Sequence, residues 1–152
     1  MRAIDLNRSA LSPDAQRTID EALGAEKPRT KQNDEAEREF AFQCRAYRLP
    51  EPAQQFWIEQ SAHPRNLRRR WRFDFAFADA KLLIEIDGGI WMAGGGAHSN
   101  PRDIERNMRK RNDAALLGYR VLAFTPRDVT KGQAIAMTQR VLHRIQQSQR
   151  GE

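Results

Sequence analysis

Two stretches separated by four residues, RWRFDFAF (70–77) and LLIEID (82–87), constrain this chain more than any other part of it. Successive strand residues point to opposite faces, so the first sends Phe73, Phe75 and Phe77 one way and Arg72, Asp74 and Ala76 the other. The second is apolar, yet carries Glu85 and Asp87 two residues apart, so both carboxylates leave on one side. The short ADAK segment (78–81) leaves room only for an antiparallel hairpin. Pairing Phe77 with Leu82 then sets Asp74 opposite Glu85 and Arg72 opposite Asp87, with facing Cβ atoms ~4.5–5.5 Å apart. Phe73, Phe75, Phe77, Leu82, Ile84 and Ile86 fill one face. Asp74, Glu85 and Asp87 form a triangle of carboxylates on the other.

Like charges facing each other across a ladder destabilise it. The repulsion is relieved by protonating one acid, by pairing with arginine, or by binding a divalent cation. Hard carboxylate oxygens suit Mg²⁺ or Mn²⁺. Asp87 reads either as a third ligand or as the salt-bridge partner of Arg72.

The charge of the rest of the chain bears on that choice. Its 152 residues predict one domain with a single sizeable core, and the net charge of +6 comes mainly from arginine. One basic cluster holds Arg65, Arg68, Arg69, Arg70 and Arg72, and another holds Arg102, Arg106, Arg109, Lys110 and Arg111. The two flank the acidic strand in sequence, as expected of a surface that grips phosphates. No apolar run approaches the ~20 residues of a membrane span. The N-terminus lacks the apolar stretch of a signal peptide, so a cytoplasmic location and no membrane partner are expected. A single cysteine, Cys44, excludes an internal disulfide and a cysteine-based zinc cluster.

Residues 1–33 read as a polar N-terminal extension, with a short helix possible over 13–23, and residues 34–152 as the folded domain. A helix is predicted from Asp34, with Phe40, Cys44 and Tyr47 at helical spacing, ended by LPEP (49–52). QQFWIEQ (54–60) reads as a strand preceding the hairpin. After the hairpin come a glycine-rich loop, GGIWMAGGGAHSNP, and a helix over 101–117 with Gly118 at its C′ position. YRVLAF (119–124) is an apolar strand. A last helix over about 128–147 turns Ile135, Leu142 and Ile145 inward. The glycines match neither a phosphate-binding loop nor a dinucleotide fingerprint. The order α-β-β-β-α-β-α predicts an α/β sandwich around a mixed sheet.

RFDFAF, IEIDGGIW, the helix carrying Lys110 and Asn112, and DAALLGYRVLAFTP together resemble the PD-(D/E)xK nuclease superfamily. The likeness is greatest to its small restriction-like and very-short-patch-repair-like endonucleases, and it covers about residues 35–127. It implies a three-layer restriction-endonuclease-like core, αβββαβ around a mixed sheet, with an N-terminal extension. By this likeness Asp74 and Glu85 are the metal-binding acids, with Asp87 in the usual lysine position. Lys110 on the following helix is then the substitute lysine, set at the edge of the buried face. Glu39, preferred to Glu37 and Glu35, is the glutamate of the first helix.

The function implied is a Mg²⁺- or Mn²⁺-dependent endonuclease cutting DNA, with RNA as a further possible substrate, acting as a monomer or homodimer. Asp74, Glu85 and Asp87 are its candidate metal ligands, and Glu39 and Lys110 its further catalytic candidates. Arg68, Arg69, Arg70, Arg72, Arg106, Arg109, Arg111 and His98 are candidate nucleic-acid contacts. His98 as a loop histidine is more often plain surface, whereas Lys110 reads equally as a solvated lysine and Asn112 as a structural hydrogen bonder. Trp91, with Met92, either stacks on bases or caps the core. The alternative function is a catalytically silent nucleic-acid-binding protein whose acids are neutralised by arginine.

Overall fold

A computed structural model describes Ser12 and residues 30–59, 70–87 and 101–151, except for the side chains of residues 102 and 103. The N-terminal helix expected over 13–23 lies outside the described residues, as do Arg65, Arg68, Arg69, Trp91, Met92 and His98.

Helix α1 spans Lys31–Ala46. It begins three residues before the expected Asp34 because the Thr30 hydroxyl accepts the Asn33 N–H at 3.2 Å and caps the first turn. Its buried stripe is Ala36, Glu37, Phe40, Ala41 and Cys44, while Tyr47, expected to face inward, lies past the last turn and is exposed. The helix ends with Arg48 in the left-handed region (φ 56°). The N–H groups of Arg48 and Leu49 donate to the carbonyls of Arg45 and Cys44, a Schellman closure.

Strands β1 (Ala53–Glu59), β2 (Arg70–Phe77), β3 (Leu82–Ile86) and β4 (Arg120–Phe124) form one mixed sheet in the order β1-β2-β3-β4. The first two neighbours pair antiparallel and β3 pairs parallel with β4. The parallel pair requires a crossover, supplied by helix α2 (Pro101–Leu116). Gly118 (φ 82°) closes that helix, its N–H and that of Tyr119 donating to the carbonyls of Ala115 and Ala114. A short helix α3 (Pro126–Thr130) and a longer α4 (Gln133–Arg150) complete the chain. They replace the single helix expected from about 128, because Gly132 adopts φ 74° between them. Ile135, Leu142 and Ile145 are buried.

The fold is thus α/β with helices on both faces of the sheet. On one face α1, α3 and α4 cover Phe75, Phe77, Leu82, Ile84 and Ile86. On the other, Ala114 of α2 packs on Ile58, Trp71, Phe73, Ala76 and Leu83. The hairpin has the expected register, Phe77↔Leu82, Ala76↔Leu83 and Phe75↔Ile84.

Phe73 departs from expectation, since it joins Trp71 on the α2 face rather than Phe75 and Phe77. The cause is a local break. Gln55 takes a left-handed backbone (φ 51°), and it and Asp74 are missing from an otherwise continuous β1–β2 register. Period-two alternation therefore fails across Asp74, and the side chains on either side of it swap faces.

Candidate active site

The same break opens the ladder between β2 and β3. Their pairing ends at Phe75↔Ile84, and Asp74 does not pair with Glu85 as a strand neighbour. Its carboxylate instead reaches across the gap, where Oδ2 accepts the Ile86 N–H at 2.7 Å. The side chain has replaced a backbone carbonyl, so Asp74 is held by the strand it departs from.

Glu85 follows Leu83 on the α2 face. Its Oε1 lies 2.6 Å from Nζ of Lys110. Lys110 is only 6% exposed, and its ammonium also sits 4.4 Å from the centre of the Phe73 ring. A buried ammonium is tolerated only when paired and hydrogen-bonded, and the ring face adds a cation–π contact. Lys110 therefore lies well inside the packed face of α2, not at its edge.

Helix α2 is turned to present Lys110 by contacts at neighbouring turns. Asp113 Oδ2 accepts the indole N–H of buried Trp71 at 2.7 Å, and the Arg106 guanidinium lies 5.6 Å from that ring centre. Arg106, Lys110, Asp113 and Ala114 share one face by their 3–4 residue spacing. A helix whose inward face carries three charged residues is fixed in rotation by what each of them meets.

From the other side of the sheet comes Glu37 of α1, which is 7% exposed. Its Oε2 accepts from Gln55 Nε2 at 3.0 Å, and its carboxyl hydrogen-bonds Asp74. Glu39, the expected glutamate, is exposed and instead takes a hydrogen bond from Gln43 at 2.9 Å. The correction has a simple reason: Glu37 stands three and seven residues before Phe40 and Cys44, on the buried stripe, whereas Glu39 does not. That spacing was the signal available in the sequence.

Neither this chain as a family member, nor as a relative of a characterised protein or a solved structure, finds a match.

The electrostatics follow from the geometry. Burial raises the Asp74 carboxyl above its ordinary value, the Ile86 N–H partly offsets this, and the Glu85 charge adds to it. Lys110 and the Glu37 hydrogen bond act to lower it. Two carboxyl groups in hydrogen-bond contact share a proton more readily than they bear two charges.

Asp87 lies just past the end of β3. Its N–H donates to the Phe124 carbonyl at 2.9 Å. With Glu85 it lines a cleft of about 230 Å³ completed by Asn107, Arg111, Thr125 and Asp128. The cleft opens beyond the carboxyl ends of the parallel strands β3 and β4, the usual place for a ligand in an α/β sheet. The expected triangle of Asp74, Glu85 and Asp87 does not close. Among the described residues, no group of three or more His, Cys, Asp or Glu side chains is arranged to hold a metal ion. The physical reason is the break at Asp74, which turns that carboxylate into the plane of the sheet.

The basic residues are dispersed. Arg70 is exposed and Arg72 half-buried on β2, and Arg111 is exposed at the cleft. Arg109 is exposed and bridges Glu105 at 2.6 Å, and Arg106 is half-buried against Trp71. Asn112 is exposed. The structure thus brings together Asp74, Glu85, Lys110, Glu37 in place of the preferred Glu39, and, unforeseen, Gln55. It leaves Glu39 and Arg109 outside that cluster. Among the described residues, no helix is long and apolar enough to cross a membrane.

Proposed function

We propose that this chain is a divalent-metal-dependent endonuclease acting on DNA, on a restriction-endonuclease-like core. The observation that carries the reading is the contact between Lys110 and Glu85 beside Asp74. A buried lysine from the crossover helix meets a carboxylate pair where two strands part. Stability alone is poorly served by that arrangement, since three ionisable side chains share a largely buried space.

The donor chemistry suits a hard cation. Asp74 and Glu85 offer carboxylate oxygens within electrostatic reach of each other, and burial together with the Glu85 charge raises the Asp74 carboxyl. These two residues would hold the ion, with Glu37 supporting Asp74. When bound, such an ion lowers the pKa of a coordinated water and offsets charge on the phosphate. Lys110, held at Glu85, supplies a fixed positive charge for the phosphate oxygens as negative charge develops on them. Arg111 and Asn107, on the cleft wall next to Glu85, would engage the backbone of a nucleic acid.

The test is nicking of supercoiled plasmid with Mg²⁺ or Mn²⁺. Wild type is expected to nick, and Asp74→Ala and Glu85→Ala to lose more than about 100-fold of the rate. Nicking that survives both substitutions removes the site assignment.

A second reading is favoured by one feature. Glu85 is already neutralised by Lys110, and Asp74 is already satisfied by Ile86 and Glu37. A catalytically silent nucleic-acid-binding protein needs no more than this. It would show salt-sensitive DNA binding with no metal-dependent cleavage.

A further inference from the structure

Among the described residues, Gln55 is the one strand residue with a left-handed backbone. A non-glycine residue rarely holds that conformation, and such strain collects where the surroundings require a particular side-chain direction. Here the direction is visible. The Gln55 amide nitrogen donates to Glu37 Oε2 at 3.0 Å, and Glu37 in turn hydrogen-bonds Asp74. The other half of the amide, Oε1, is buried without a hydrogen-bond partner among the described residues. One residue thus carries two local costs, a strained backbone and an unsatisfied acceptor, and core packing repays neither.

The position of Gln55 adds to this. The β1–β2 register would set it directly opposite Asp74, and both residues drop out of the ladder together. An extended Gln55 would restore the pairing and swing its amide away from Glu37. The left-handed turn therefore does two things at once. It aims the amide at Glu37, and it frees Asp74 to reach across to Ile86.

We infer that Gln55 is a positioning residue: its strained backbone holds Glu37 against Asp74 and so sets the geometry of the carboxylates that receive the metal. This rests on the nuclease reading. An outer residue that orients a ligand in this way commonly affects metal affinity or activity 10- to 100-fold without touching the ion.

The discriminating variant is Gln55→Gly, which relieves the backbone strain but removes the amide. Three quantities are measured on the full chain: thermal midpoint in EDTA, Mn²⁺ affinity by calorimetric titration without DNA, and plasmid nicking. The expected result is an unchanged or higher midpoint, Mn²⁺ affinity weakened about 10-fold, and kcat reduced about 10-fold at unchanged KM for DNA. Gln55→Asn, whose shorter amide falls short of Glu37, is expected to show the same loss of affinity. A purely structural residue would behave differently, with midpoint and activity falling together, and that result overturns the inference. So does full Mn²⁺ affinity and kcat in Gln55→Gly while wild type nicks; the nuclease reading then stands. Wild type that neither binds Mn²⁺ nor nicks overturns both.

Discussion

Lys110 Nζ and Glu85 Oε1 meet at 2.6 Å although they lie 25 residues apart, one on a helix and one on a strand. The lysine is buried, so each charge depends on the other. Removing one partner strands the other in a poorly hydrated site, whereas removing both does not.

That dependence is measurable by a double-mutant cycle. Lys110→Met is expected to cost about 3 kcal/mol in urea unfolding, with Glu85→Gln costing somewhat less because that side chain retains some exposure. The double variant should recover a substantial part of the loss, giving a coupling energy above about 1 kcal/mol. Strictly additive losses would mean that the pair is not coupled.

Asp74 makes stability depend on pH. Burial lifts its carboxyl above the ordinary 3.8 in the folded chain, with the Glu85 charge adding to the effect. Between those two values the folded state binds more protons than the unfolded state. Stability contributed by the protonated form is therefore lost as pH rises through the folded pKa. Asp74→Asn keeps an acceptor for the Ile86 N–H and has no such titration. In EDTA it should be more stable than wild type at neutral pH, with the difference shrinking as pH falls towards 4. Equal stability across that range would refute this account.

Cys44 should be silent towards thiol reagents in the folded protein. It is 1% exposed, and burial pushes its thiol up to about 12, so little thiolate is present or reachable near neutral pH. Labelling by a maleimide is expected to track global unfolding in urea. Rapid labelling without denaturant would show that α1 lifts from the sheet by local opening.

The two Schellman closures make opposite predictions. Arg48 takes a left-handed conformation (φ 56°) where glycine is free to do so, and Arg48→Gly should stabilise the chain by about 1 kcal/mol. Gly118 (φ 82°) already meets that need at the end of α2, and Gly118→Ala should cost about the same. Thermal midpoints shifting the other way in either variant would contradict the assigned backbone.

Much of the frame was legible in the residues. The hairpin register follows from a turn too short for any other pairing, and Phe77↔Leu82 stands in the structure. The helix end at Gly118 and the inward positions of Ile135, Leu142 and Ile145 follow from local periodicity and capping. Lys110 could be nominated from its helix, and Glu37 could have been preferred to Glu39 from its spacing to Phe40 and Cys44. Those features depend on neighbours within a turn or a hairpin, where chain geometry leaves few choices.

The composition of the site was decided by the tertiary fold. Alternation places Phe73 with Phe75, but a left-handed Gln55 on the neighbouring strand breaks the period and sends Phe73 to the other face. The same break turns Asp74 from Glu85's cross-strand partner into an acceptor for Ile86, so that Asp74, Glu85 and Asp87 do not form the expected triangle. Lys110 reaches Glu85 because Trp71, Asp113 and Arg106 set the rotation of its helix. By itself, the sequence determined which acids lie on the hairpin, because side-chain direction in a regular strand is local. Which of them face one another depended on a backbone irregularity in a different strand and on helix rotation, and both are settled only by contacts between distant residues.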